Sequence, residues 1–392
     1  MRVDLRRIEH EVHEELPAYL EALRRLVAID SGSYSPDGVN AVASACGDLL
    51  VTDGWTIERR PSPSDRIPAV GDMLIARIDG SGSGRVLLVG HTDTVFPDGT
   101  AAARPLVIDE GRALGPGVCD MKGGLLLARW VVRALLRGDR DAFGLITFIL
   151  NPDEEIGSPI SRSLILEEAR GHDVALVLES ARASGAIVSS RKGVTTGNIS
   201  IRGRAAHAGV EPDKGRSAVV AAASLVLQMH ELNHRWPGTT VNIGTIAGGT
   251  RTNVVPAAAS LEFEIRSPMG TNLSAAERAI EDLVSKAAAD GVFVRTELDH
   301  ECPPMERSPK VSRLVSLAKG IASELGFALE DEATGGASDA NAIAAAGVPV
   351  LDGLGPIGGD DHSDQEWIDL GSIPSRAALL GGLIAAASSA VG

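Results

Sequence analysis

From residue 4 to residue 28 apolar side chains recur at helical spacing. Leu5, Ile8, Val12, Leu16, Leu20, Leu23 and Val27 share one broad face, so the pattern predicts that a helix opens the chain. Two apolar runs follow, "MLIARID" and "RVLLVG", separated by "GSGSG". Glycines there could cradle a phosphate, but no GK[ST] follows and no helix begins, so the segment predicts a hairpin turn. The runs "RVLLVG", "GLITFIL", "DVALVLE" and "VPVLDGL" are short and continuously apolar, as strands of a mostly parallel sheet are when both faces are buried. Segments such as "MKGGLLLARWVVRALLRG" supply the helices between them.

Between residues 192 and 300 the texture changes. Alternation and periodicity predict a strand ("VTTGNISIRG"), a helix ("SAVVAAASLVLQMHEL"), two strands ("TVNIGTIAG", "ASLEFEIRS"), a helix ("SAAERAIEDLVSKAAAD") and a strand ("VFVRTEL"). The order βαββαβ is that of a ferredoxin-like unit, here inserted into a larger α/β domain whose sheet resumes afterwards. No internal repeat, low-complexity tract or long linker interrupts the chain.

Composition narrows the class. A chain of 392 residues with 44% hydrophobic content can bury a sizeable core and is long enough for two domains. Aromatics are scarce at 3% while glycine is abundant, which suits close helix-to-sheet packing in an α/β protein. The formal charge of -15, without a clustered Lys/Arg stripe, excludes nucleic acid as an expected partner. The N-terminal "MRVDLRRIEHEVHEEL" is charged throughout and lacks the apolar core of a signal peptide, so the expected compartment is the cytoplasm. "AALLGGLIAAASSAV" is short for a bilayer and rich in small residues, so it predicts a packed helix and no membrane association. Cys46, Cys119 and Cys302 form no CxxC pair, which fits a reducing environment.

The chemistry gathers at strand ends. His91 follows the first of the four apolar runs, Glu154 and Glu155 the second, Glu179 the third, and His362 lies on a loop after the fourth. Open α/β sheets bind ligands at the carboxyl ends of their strands, so these groups are expected to converge although they are scattered in sequence. In "GHTDTV", His91 and Asp93 stand two apart, on one side of an extended segment. The carboxylate could hold the imidazole or share its metal. Asp120 lies on the glycine-rich turn "GPGVCDMKGG" that leads into a helix.

Two histidines and three carboxylates supply the N and O ligands that Zn²⁺ accepts. Five ligands exceed the three protein ligands of one catalytic zinc, but they suit two ions if one carboxylate bridges. In "NPDEEIGS" adjacent residues point in different directions, so one of Glu154 and Glu155 can bind metal while the other takes the proton of the attacking water. The chemistry expected of such a centre is amide hydrolysis.

"GHTDTVF", "GPGVCDMKGG", "DEEIGS", "LES", "AHAGVEPDKGRSA", "RTNVVPAAA", "TGGASDA" and "HSDQEW" occur in order along nearly the whole chain. Together they resemble the dizinc metallopeptidase family of glutamate carboxypeptidases, aminoacylases and succinyl-diaminopimelate desuccinylases, with most likeness to the glutamate carboxypeptidases. The resemblance implies a dizinc catalytic domain over 1–191 and 301–392 and a lid and dimerisation domain over 192–300. It implies Asp120 as bridging ligand, His91 and Glu179 on one zinc, Glu155 and His362 on the other, and Glu154 as general base. It further implies that Asp93 orients His91, that the bond between Asp120 and Met121 is cis, and that the active unit is a homodimer. His207 would reach the partner subunit's site to stabilise the oxyanion, while Asn253 and Arg266 would contact the substrate's carbonyl and free carboxylate.

Family members with aminopeptidase activity tend to carry Asp where this chain has Glu179. The expected substrate is therefore a small peptide or N-acyl amino acid with a free α-carboxylate. One departure stands out: "ELDHECPPM" holds no arginine where a pocket for a glutamate side chain is expected to be basic, and Arg191 and Lys192 are the pair that could supply the charge. An N-acyl-amino-acid deacylase or desuccinylase is the alternative of the same chemistry. A catalytically silent binding protein of the same fold is the alternative of another class.

Overall fold

The computed structural model describes residues 3–63, 68–288 and 291–390. It comprises two compact units: Met1–Ser189 with Arg307–Ala333 and Ser338–Gly392, and Ser190–Glu306 with Thr334–Ala337.

In the first unit a six-stranded sheet runs in the order Thr56–Arg60, Met73–Asp79, Leu145–Asn151, Arg85–His91, Val174–Val177, Val350–Leu351. The last four strands are mutually parallel, and the first two pair antiparallel. Leu87, Leu88, Val89, Ile146, Phe148, Ile149 and Leu176 are all buried, so both faces of these strands are covered, as the continuous apolar runs require. The helices Gly123–Gly138, Pro309–Leu325 and Ile373–Ala390 contribute to the core on one side. The last of these is the one described helix long and apolar enough to span a bilayer, and 78% of its apolar window, Leu370–Ala387, is buried inside the protein. Leu379, Leu380, Leu383 and Ile384 are each almost wholly buried, which contributes about 1.5–3 kcal/mol apiece.

Two expectations are corrected. The opening helix is two helices, Leu5–Glu14 and Leu16–Val27, separated at Glu15 (φ -90°, ψ 5°). Pro17 sits in the first turn of the second, where its missing N–H costs nothing but cannot carry one helix through. Nor does "GSGSG" close a hairpin, because Leu145–Asn151 lies between the two strands it connects. The loop instead pairs with the segment before that strand: Gly80 N–H donates to Gly144 O (3.0 Å) and Gly82 N–H to Phe143 O (2.9 Å). A Cβ on Gly80 or Gly82 would stand 2.0 Å from a carbonyl oxygen, so glycine serves close backbone approach here.

The second unit carries Gly193–Arg202, helix Ala218–His230, Thr240–Gly248, Ala258–Ser267, helix Gly270–Ala288 and Phe293–Cys302, the βαββαβ order. Its antiparallel sheet places Ala258–Ser267 and Gly193–Arg202 centrally, with Thr240–Gly248 and Phe293–Cys302 at the edges, the ferredoxin-like arrangement. Alternate residues Ile199, Ile201, Leu261, Phe263 and Ile265 meet Leu225, Met229, Leu273 and Ile280 of the helices in one core.

Candidate metal centre

Parallel pairing aligns the strand ends. His91, the last residue of its strand, is in register with Asn151, and Val89 is in register with both Ile149 and Val177. Glu154 and Glu155 begin a short 3-10 turn three residues after Asn151, and Glu179 follows Val177 by two residues. Asp120 precedes the helix Gly123–Gly138 at a cis Asp120–Met121 peptide, the isomer the resemblance implies. His362 enters from a distant loop, with φ of 61°.

His91 Nε2 lies 2.8 Å from Asp120 Oδ1 and 3.6 Å from Glu179 Oε1. His362 Nε2 lies 3.1 Å from Asp120 Oδ2 and 3.2 Å from Glu155 Oε2. Two triads thus share one carboxylate, each through a different oxygen. Among the described residues, His91, Glu154 and Glu179 form one potential metal-holding group, His91, Asp120 and Glu155 a second, and Asp120, Asp361 and His362 a third.

A second layer of contacts holds these groups. His91 Nδ1 is 3.0 Å from the backbone oxygen of Asp93 and 3.4 Å from its Oδ1. With Nδ1 donating to Asp93, the Nε2 lone pair is available to a metal ion held between His91, Asp120 and Glu179. The Asp93 carboxylate also accepts the N–H of Glu154 (3.2 Å) on one oxygen and the N–H of Glu155 (3.1 Å) on the other, with Ser33 Oγ donating at 2.7 Å. One buried aspartate therefore orients the first histidine and pins the backbone of both glutamates. On the far side of Asn151, its amide and Ser158 Oγ donate to Asp339.

The electrostatics follow from crowding. Burial alone would lower the His91 pKa, but the charges of Glu179 and Asp120 and the bonds to Asp120 and Asp93 carry it well above its ordinary value. Hydrogen bonds to Asp120 and Glu155 push His362 up to about 11. Burial raises the Asp120 carboxyl, yet bonds to both imidazoles outweigh it and hold the group well below the usual carboxylate range. Burial drives Glu154 well above its usual value, with Glu179, Asp339 and Asp120 adding to the rise. Burial likewise raises Glu155, against the pull of His362.

The residues fit a pair of divalent ions. Glu155 Oε1 is buried with no hydrogen-bond partner among the described residues, an acceptor that is costly to bury unless a cation satisfies it. Carboxylates outnumber imidazoles, and the imidazoles are drawn toward their charged forms because the cluster favours positive charge. With ligand distances of about 2.0 to 2.2 Å, donors around one tetrahedral ion stand about 3.4 Å apart, a spacing around which the contacts of both triads fall.

Three expected site residues belong to the second unit. His207 pairs with Val254 in an isolated bridge, and Ala208 N–H donates to Asn253 O (3.0 Å), so His207 and Asn253 lie on facing segments, both exposed. Arg266 turns its guanidinium onto Glu264 (2.6 and 2.9 Å) and Gly335 O (2.7 Å). Arg191 is buried and donates to Gly336 O (3.0 Å).

Sequence reasoning passed over Ser33, Asp361 and Glu366. Asp361 was visible beside His362. Glu366 lies within "HSDQEW", yet nothing in that motif announces that its carboxylate accepts the N–H groups of Gly117, Cys119 and Asp120. Burial pushes Glu366 up to about 7 against those three bonds.

A parallel-sheet domain with a carboxylate-bridged histidine pair at its strand ends, carrying a ferredoxin-like insert, defines the class as an α/β metallohydrolase. Residues 189–292 match the M20 peptidase dimerisation domain. The chain is similar to carboxypeptidase G2 of Pseudomonas sp. (strain RS-16), with 32% identity over 93% of this chain and 88% of that one. It is 27% identical to acetylornithine deacetylase of Proteus mirabilis (strain HI4320), over 94% of this chain and 97% of that one. Its fold resembles aminopeptidase PepT from Bacillus cereus ATCC 10987, with a TM-score of 0.79 and 25% identity over 95% of this chain and 99% of that one. The chain belongs to the M20 peptidase family and is a hydrolytic metallopeptidase.

Proposed function

We propose that this chain is a dizinc exopeptidase that cleaves an amide bond next to a free α-carboxylate, most like a glutamate carboxypeptidase, and that it works as a cytoplasmic homodimer. The observation that carries the reading is the division of Asp120 between two histidines, one per oxygen. His91, Glu179 and Asp120 would hold one ion, and His362, Glu155 and Asp120 the other. Bound there, zinc supplies Lewis acidity for the scissile carbonyl and lowers the pKa of the attacking water.

Glu154 is the general base. Its carboxylate takes the water's proton and returns it to the leaving nitrogen, and the burial that raises its pKa favours proton uptake. Asp93 keeps the proton of His91 on Nδ1 and holds the Glu154 N–H, so base and ligand share one anchor. His207 donates to the oxyanion in the partner subunit's site, and Asn253 and Arg266 hold the substrate's carbonyl and carboxylate. Arg266 would have to exchange Glu264 for the substrate carboxylate.

The dimer reading draws on the match to a peptidase dimerisation domain and on the second unit's surface. Thr240–Gly248 is an edge strand with Ile246 55% exposed, and Val220 and Leu227 on the helix Ala218–His230 are each 68% exposed. Three buried free cysteines accord with a reducing compartment.

A deacylase remains the second reading, favoured by the likeness to acetylornithine deacetylase over nearly the full chain and by the lack of arginine in "ELDHECPPM". A silent binding role would not need the base Glu154 beside a full ligand set. The deciding experiment is hydrolysis of N-acyl amino acids and dipeptides by zinc-loaded protein, with the C-terminal residue varied. Preference for C-terminal Glu or Asp supports the carboxypeptidase, broad turnover of N-acetyl amino acids supports the deacylase, and inertness toward all of them overturns both.

A further inference from the structure

We infer that Glu366 is a positioning residue for the metal centre, locking the turn that carries Asp120 and coupling it to the loop that carries His362. The inference rests on the dinuclear reading above. Glu366 is wholly buried. Its Oε2 accepts the N–H of Gly117 at 2.9 Å, and its Oε1 accepts the N–H groups of Cys119 at 2.8 Å and Asp120 at 3.0 Å. Three backbone donors of one turn thus converge on a single carboxylate, and the third belongs to the residue that faces both histidines.

The same segment reaches the loop that carries His362. Trp367, next to Glu366, pairs with Leu114 in a small sheet, and its ring lies 3.9 Å beneath the Arg112 guanidinium. Its Nε1–H donates to Asp360 Oδ2 at 3.0 Å. Asp360 and His362 both have left-handed backbone, with φ of 56° and 61°, a conformation that needs such support in residues other than glycine. Glu366 and Trp367 therefore reach in opposite directions from one point, to the Asp120 turn and to the His362 loop. A metal site tolerates displacements of only about 0.5 Å, so a device that fixes two of its donors relative to one another bears directly on affinity.

A purely structural role would give a different result from a positioning one. Zn²⁺ titration by calorimetry, with Co²⁺ absorption spectra and thermal melts alongside, separates them. In Glu366→Gln one oxygen becomes an NH₂ that opposes a backbone N–H, and in Glu366→Ala all three bonds are lost. Zn²⁺ affinity is expected to fall about 10- to 100-fold in Glu366→Gln and further in Glu366→Ala, with altered Co²⁺ spectra. Glu366→Asp keeps the charge on a shorter arm and should fall between wild type and Glu366→Gln, which also covers the case of a Glu366→Gln protein that does not fold. Asp369→Ala, which removes a cap on Gly371 in the same segment, should leave Zn²⁺ binding unchanged. Wild-type protein that fails to take up two ions overturns the dinuclear reading itself. Wild-type protein that takes up two, with folded Glu366 variants binding both as tightly and melting lower, overturns the positioning role alone.

Discussion

One carboxylate serves two imidazoles: Asp120 Oδ1 lies 2.8 Å from His91 Nε2, and Asp120 Oδ2 lies 3.1 Å from His362 Nε2, although these histidines are 29 and 242 positions away in the chain. Asp120→Asn replaces one oxygen with a donor that repels a cation. Atomic-absorption analysis is expected to show less than two ions per chain, and turnover should fall on the order of 10²-fold or more. Full occupancy in a folded Asp120→Asn protein would remove the bridging role.

The adjacent glutamates should separate by metal content. Glu154→Gln is expected to retain two ions and lose on the order of 10²- to 10⁴-fold in turnover, as for a missing general base. Glu155→Gln should lose one ion, since its carboxylate faces His362 at 3.2 Å. Metal analysis beside kinetics checks both, and the opposite pattern would exchange the two roles.

Subunit complementation tests the donated histidine. His207→Ala should bind both ions yet lose about 10²- to 10³-fold in turnover, the usual effect of deleting an oxyanion donor. Mixed with Glu154→Gln under exchanging conditions, it should form heterodimers in which one site has both an intact base and a donated histidine, so part of the activity should return. Exchange confirmed by native mass spectrometry without recovery of activity would rule out action across subunits.

Helix packing and the site are linked through Gly124. A Cβ there would stand 2.0 Å from Leu178 O, the carbonyl just before Glu179. Gly124→Ala must push the helix from the strand end, with an expected loss of about 1–3 kcal/mol. Denaturant melts should show that loss, and Zn²⁺ affinity should drop with it because Asp120 and Glu179 lie on the two parts being separated.

Acid stability should carry the mark of Asp331. Burial raises this carboxyl, but bonds from Ser189 and Lys319 and the charge of Arg307 prevail and hold its pKa below the unfolded value near 3.8. The folded state therefore binds this proton more weakly than the unfolded state. The stabilisation is present above pH of about 4 and is lost as pH falls through the unfolded and then the folded pKa. Asp331→Asn should be less stable than wild type at pH 7, and the gap should narrow in melts taken below pH of about 4. A constant gap would assign the loss to packing.

Much was decided by local pattern. Continuous apolar runs predicted buried parallel strands, and the alternation through Gly193–Arg202 and Ala258–Ser267 predicted the ferredoxin-like unit, because periodicity records which faces of an element are covered. The strand-end rule drew together His91, Glu154, Glu155, Glu179 and His362, and ordered motifs attached roles to them. Strand order was decided elsewhere: the loop at Gly80 and Gly82 bonds to residues 143–144, so Leu145–Asn151 enters between two strands that are neighbours in sequence. The positioning contacts escaped for the same reason. Glu366 accepts N–H groups 246 to 249 positions away, and Asp93 accepts those of Glu154 and Glu155 61 and 62 positions on. A carboxylate paired with backbone amides leaves no signature in its partners' side chains, so such a contact exists only once the chain has folded around it.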